Sequence, residues 1–120
     1  MPRSVAKVVV LDDDRVMVEL LRTVIEDEGH QAVSAVQMDD VPASVRADLV
    51  VSDLMPLTSY RADVARQWVR DLHDRFGVPV VVVTAHKDAL AEPDRLGADA
   101  VIAKPFDVDS LAATIRALLA

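Results

Sequence analysis

Three runs of the chain, residues 7–11 (KVVVL), 48–52 (DLVVS) and 79–84 (PVVVVT), are short, β-branched and apolar without alternation. A strand with one wet face alternates apolar and polar side chains. Unbroken apolar runs suit strands buried on both faces, as in a parallel sheet covered by helices. Two weaker runs, 31–35 and 100–103, bring the set to five. Between the runs, apolar residues recur at helix spacing, clearest at Met17, Leu20, Leu21, Val24 and Ile25 and again at Leu111, Ile115, Leu118 and Leu119. The order is βαβαβαβαβα, which calls for an α/β fold: right-handed crossovers place the helices on both faces of one parallel sheet.

Helices are expected near residues 15–28, 39–46, 60–75, 87–95 and 108–119. Asp14 and Asp107 stand where the first and last helices need an N-cap acceptor. Gly29, Gly77 and Gly97 each follow a helical stretch and precede a strand, the place for a left-handed C′ residue. Pro42 and Pro93 fall inside the second and fourth helical stretches, so those two are expected to be short or irregular.

With 120 residues, 52% of them hydrophobic and 28% charged, the expectation is one globular domain over residues 1–120. The net charge of −7 opposes the basic face that a nucleic-acid backbone requires, so direct DNA binding by this domain is not expected. The longest apolar stretch, residues 78–85, is interrupted by Pro79 and far too short to span a bilayer. No signal-peptide h-region follows the basic start, and a cytoplasmic protein is expected. The absence of cysteine excludes disulfides and thiolate metal sites. Trp68, Phe76 and Phe106 read as residues in or beside the core. The three histidines belong to different elements and do not suggest a metal site.

In open α/β sheets the ligand crevice lies beyond the carboxyl ends of the strands. The first strand runs into Asp12, Asp13 and Asp14, the third into Asp53, the fourth into Thr84 and the fifth into Lys104. Each has a plain reading alone: a solvated loop with an N-cap, a strand-end hydroxyl, a surface lysine. Their meeting at four predicted strand ends favours a site. Carboxylates gathered together repel unless a cation shares the site, and an all-oxygen donor set suits Mg²⁺. One carboxylate can then act as a nucleophile that forms an aspartyl phosphate, with ammonium and hydroxyl groups stabilising the transferring oxygens.

The pieces VVVLDDD, DLVVSDLMP, VVVVTAH and GADAVIAKPF, in this order and spacing, resemble the receiver domain of bacterial response regulators over essentially the whole chain. The resemblance implies a flavodoxin-like doubly wound sheet of five parallel strands in the order 2-1-3-4-5. It also implies a signalling module, not a conventional enzyme. Asp53 is then the phosphoacceptor, and Mg²⁺ is held by Asp12, Asp13, Asp53 and the main-chain carbonyl of Met55. Thr84 and Lys104 meet the phosphoryl oxygens, and Pro105 follows a cis peptide. A histidine kinase or phosphotransfer protein donates the phosphoryl group, and a protein-interaction face switches in response.

Two departures stand out. Asp53 and Pro56 are one residue closer than in most of the family, and Val101 occupies the position of the usual aromatic switch residue. They leave open a pseudo-receiver that binds partners without being phosphorylated. A haloacid-dehalogenase-type phosphatase with Asp12 as nucleophile is a further alternative, but it leaves Asp53 unexplained. His86, two positions after Thr84, is placed to touch a phosphoryl group or to control the access of water.

Overall fold

The computed structural model describes residues 5–54 and 61–120. Five strands, β1 (Lys7–Leu11), β2 (Gln31–Ala35), β3 (Leu49–Ser52), β4 (Val80–Thr84) and β5 (Ala100–Ala103), form one parallel sheet in the order β2-β1-β3-β4-β5. The helices α1 (Arg15–Asp27), α2 (Ala62–Phe76) and α3 (Lys87–Ala91) lie in the β1–β2, β3–β4 and β4–β5 crossovers, and α4 (Val108–Leu119) follows β5. The expected flavodoxin-like order is the one observed.

Because side chains alternate across a strand, each apolar run feeds two cores at once. Val8 and Val10 of β1, Leu49 and Val51 of β3, and Val81 and Val83 of β4 pack with Leu21, Val24 and Ile25 of α1 and Leu111 and Ile115 of α4. Their neighbours Val9, Leu11, Val50, Val80 and Val82 face the other way, against Ala65, Val69 and Leu72 of α2 and Ala89 of α3. Burying each such Val, Leu or Ile contributes about 1.5–3 kcal/mol, so the two layers are the main source of stability.

Helix boundaries follow local chemistry. Asp14 Oδ1 accepts from the N–H groups of Val16 (3.0 Å) and Met17 (3.3 Å), and Asp107 Oδ1 accepts from Asp109 N–H (3.2 Å). Both expected N-caps are therefore in place. All three glycines stand at positive φ. At Gly77, φ 65°, the left-handed turn lets its N–H reach His73 O (2.8 Å) and end α2.

The helix expected over 39–46 does not form. A single 3-10 turn, Met38–Asp40, takes its place. Pro42 lacks an N–H, and its ring would meet the carbonyl four residues back, that of Met38. Arg75 of α2 holds the segment, donating from Nη1 to Met38 O (3.0 Å), which also accepts from Val41 N–H (3.1 Å), and from Nη2 to Val41 O (2.7 Å). The stretch expected over 87–95 divides at its proline into α3 and a 3-10 turn, Pro93–Leu96, as the irregularity foreseen there implied.

Candidate functional site

β1, between β2 and β3 in the sheet, continues into Asp12, whose N–H donates to Ala35 O (3.3 Å). β3 beside it continues into Asp53, whose N–H donates to Leu11 O (2.9 Å). These bonds extend the strand ladders by one residue, so both carboxylates are held by sheet geometry. Asp12 is 2% exposed. Its Oδ1 accepts from Asp14 N–H (2.9 Å) and its Oδ2 from Lys104 Nζ (2.9 Å). Lys104 Nζ also lies 3.4 Å from Asp53 Oδ2, while Asp53 Oδ1 accepts from Leu54 N–H (2.8 Å). Asp13 joins them from the exposed side: carboxylate oxygens of Asp12, Asp13 and Asp53 all lie within 4.8 Å of one another. Asp14 turns away to cap α1.

The electrostatics of this cluster are unbalanced. Two like charges about 4 Å apart repel by about 1 kcal/mol in water and about 4 kcal/mol at an effective dielectric of 20. Three carboxylates face one ammonium. Burial works against the charge on Lys104, but the hydrogen bond to Asp12 and the charges of Asp53 and Asp12 outweigh it and hold its pKa above the ordinary lysine value. One lysine leaves negative charge uncompensated, and the three carboxylates present oxygen donors. That donor set fits a hard divalent cation such as Mg²⁺.

Thr84 ends β4, and its carbonyl accepts from Lys104 N–H (2.9 Å), so the fourth and fifth strand ends are fastened together. Its side chain is fully buried, with Oγ1 accepting from His86 N–H (3.1 Å). Asp12, Asp13, Asp53 and Lys104 thus meet directly, whereas Thr84 stands at the adjoining strand end without a hydrogen bond to the carboxylates. The Lys104–Pro105 peptide is cis. Met55, expected to offer a carbonyl, lies outside the described residues. Val101 is half-buried against the α2-side core.

Two residues of the site were not foreseen from sequence as part of it. Ser52 Oγ donates to the carbonyl of Asp53 (2.7 Å), and Trp68 Nε1 donates to Ser52 Oγ (3.0 Å). Trp68 reads as core from its apolar surroundings, and only the placement of α2 against β3 shows its polar bond. Two clefts flank the carboxylates. One, of about 630 Å³, is lined by Asp13, Met38, Trp68 and Asp71, and the other, of about 550 Å³, by Asp12, Asp13, Arg15 and Glu19.

Residues 8–116 match the family described as the response regulator receiver domain. Among curated proteins, the response regulator MprA of a Mycobacterium species is 35% identical over 119 residues, covering 94% of this chain and 50% of that protein. The DNA-binding response regulator MtrA of Mycobacterium tuberculosis is 36% identical over 124 residues, with 94% and 50% covered. The chain spans about half the length of the curated relatives it matches. Among solved structures, a response regulator receiver protein from Burkholderia phymatum superposes with a TM-score of 0.73 at 29% identity, covering 95% of this chain and 94% of that one.

Proposed function

This chain belongs to the response regulator receiver domain family, and on that footing we propose that it takes a phosphoryl group on Asp53 from a histidine kinase or phosphotransfer protein. The observation that carries the proposal is the position of Lys104 Nζ, within 2.9 Å of Asp12 Oδ2 and 3.4 Å of Asp53 Oδ2 inside a cluster of three carboxylates. An ammonium there both neutralises the resting site and meets the oxygens of an arriving phosphoryl group.

Asp53 is the better nucleophile of the two inner carboxylates. Both carboxylates have each oxygen beside a donor group, but the side chain of Asp12 is 1% exposed and that of Asp53 is 21% exposed, so Asp53 is the one that a phosphodonor can reach. This argues against a phosphatase that would use Asp12. In the reaction, a carboxylate oxygen of Asp53 bonds to phosphorus. The bond from phosphorus to the donor atom breaks, and that atom leaves with the electron pair. Asp12, Asp13 and Asp53 would hold Mg²⁺, which supplies charge neutralisation at the transferring oxygens. Lys104 keeps its contact with Asp12 while turning toward the new phosphate, and the Thr84 hydroxyl is the donor at the neighbouring strand end.

The module acts as a phosphoacceptor and not as a conventional enzyme, and its output is a protein-contact face. One mycobacterial relative is described as DNA-binding. The net charge of −7 here is the wrong sign for contacting a phosphate backbone, so this domain works through protein partners. Among the described residues no helix is long and apolar enough to cross a membrane, which is compatible with action in the cytoplasm.

The test is intact mass after incubation with Mg²⁺ and acetyl phosphate. A single phosphoryl adduct is expected in the wild type and none in Asp53→Asn. An adduct that needs Asp12 but survives Asp53→Asn would support the phosphatase. No adduct and no Mg²⁺ binding would make the chain a pseudo-receiver that works by contact alone.

A further inference from the structure

The Asp53–Leu54 peptide group is held at both of its polar atoms. Its carbonyl oxygen accepts from Ser52 Oγ (2.7 Å), and its N–H, that of Leu54, donates to Asp53 Oδ1 (2.8 Å). The carboxylate proposed to accept phosphate therefore steadies the plane of its own following peptide. Ser52 is 1% exposed and has one proton to give. That proton is committed to the Asp53 carbonyl, and the oxygen lone pair is committed to Trp68 Nε1 (3.0 Å). A continuous chain of three hydrogen bonds thus runs from the Asp53 carboxylate to the middle of α2.

A second observation places the same indole beside the acidic cluster. Trp68 lines the cleft of about 630 Å³ of which Asp13 forms another wall. Meanwhile the position where the family carries its aromatic switch holds Val101, a side chain with no polar atom, half-buried in the core.

We propose that Trp68, acting through Ser52, is a positioning residue for Asp53 that couples the state of the phosphoacceptor to helix α2. This rests on the reading of Asp53 as phosphoacceptor. When an Asp53 oxygen is esterified, the carboxylate can no longer serve Leu54 N–H as a full anion. The peptide plane tilts, Ser52 follows its carbonyl, and the indole loses or re-forms its bond. Hydrogen bonds in a buried chain of this kind polarise one another, so a change at one end is felt along it.

Trp68 is the single tryptophan of the chain, so fluorescence excited at wavelengths that Tyr60 does not absorb reports it alone. Emission spectra and intact mass are recorded together on the whole chain during reaction with acetyl phosphate and Mg²⁺. The expected result is an emission shift that grows in step with the phosphoryl adduct in the wild type. In Ser52→Ala the adduct forms but the shift is lost. Wild-type phosphorylation with unchanged emission, or an undiminished shift in Ser52→Ala, overturns the coupling and leaves the phosphoacceptor reading intact. No adduct in the wild type overturns both. If circular dichroism shows Ser52→Ala to be unfolded, Trp68→Phe serves instead, keeping a ring while removing the N–H. It is expected to accept phosphate about two- to tenfold more slowly, the rate equivalent of one hydrogen bond. An unchanged rate would count against the positioning role.

Discussion

Lys104 Nζ donates to Asp12 Oδ2 at 2.9 Å across a sequence separation of 92 residues. The bond joins the end of the first strand to the end of the last one and is nearly closed to solvent, with side-chain exposures of 16% and 1%. It links stability to the proposed function: the same ammonium that steadies the folded site is the group proposed to meet an incoming phosphate.

Replacing that lysine leaves a buried carboxylate facing two others. Lys104→Met is expected to lower stability by about 1.5–3 kcal/mol, the usual worth of a hydrogen bond to a charged group. The loss should shrink when Mg²⁺ is present, because the added cation restores part of the missing charge. Urea unfolding with and without the ion measures both quantities; an equal loss in the two conditions would contradict a shared site.

Asp13 behaves differently, because it is exposed and its carboxylate has no hydrogen bond to another described residue. Without metal, Asp13→Asn should change stability by less than about 0.5 kcal/mol. At Mg²⁺ roughly a hundred times its Kd, the wild type should gain about 2.7 kcal/mol, or roughly 10 °C in Tm, and Asp13→Asn much less. Thermal melts across a Mg²⁺ series decide the point.

At the opposite edge of the sheet, Asp99 Oδ2 accepts from Val80 N–H (2.8 Å) and lies 2.8 Å from His73 Nε2. Burial alone would raise its pKa, but the hydrogen bonds from His73 and Val80 outweigh it and hold the group below the ordinary aspartate value of 3.8. A folded pKa below the unfolded one gives stability that is present above the unfolded value and lost as pH falls through the folded one. Wild type should therefore exceed Asp99→Asn in Tm at neutral pH, with the gap closing as pH drops below 3.8. A gap independent of pH would show that the carboxylate charge is not what matters.

Arg75 holds the segment that replaces the expected second helix, through its bonds to Met38 O and Val41 O. Arg75→Ala should cost about 1–2 kcal/mol. The loss should be local, seen as faster amide hydrogen exchange around residues 38–41 before any change in α1 or α4. Uniformly faster exchange over the whole chain would point to a global role instead.

The architecture was legible because its determinants are local. Val8 to Leu11 and Val80 to Val83 could only be strands covered on both faces, and Asp14 and Asp107 mark helix starts by chemistry that acts within three residues. The gathering of Asp12, Asp13, Asp53 and Lys104 was legible through the rule that parallel strands bring their carboxyl ends to one edge. Pro42 marked the 39–46 stretch as short or irregular, but the pattern does not reveal that only Met38–Asp40 will turn, or that Arg75 of α2 will hold the segment by the carbonyls of Met38 and Val41. The bond from Trp68 to Ser52 spans 16 positions between a helix face and a strand end, and no periodicity connects them.

The long reach of Lys104 has a consequence for biosynthesis. A nascent chain carries Asp12, Asp13 and Asp53 well before the fifth strand has been translated, so the acids exist for a time without their cation. β5 adds to the sheet only through β4, and until it docks the anions repel with nothing between them. The proposed acceptor site is thus expected to be completed last, with unfinished chains poor targets for any donor that recognises the assembled site.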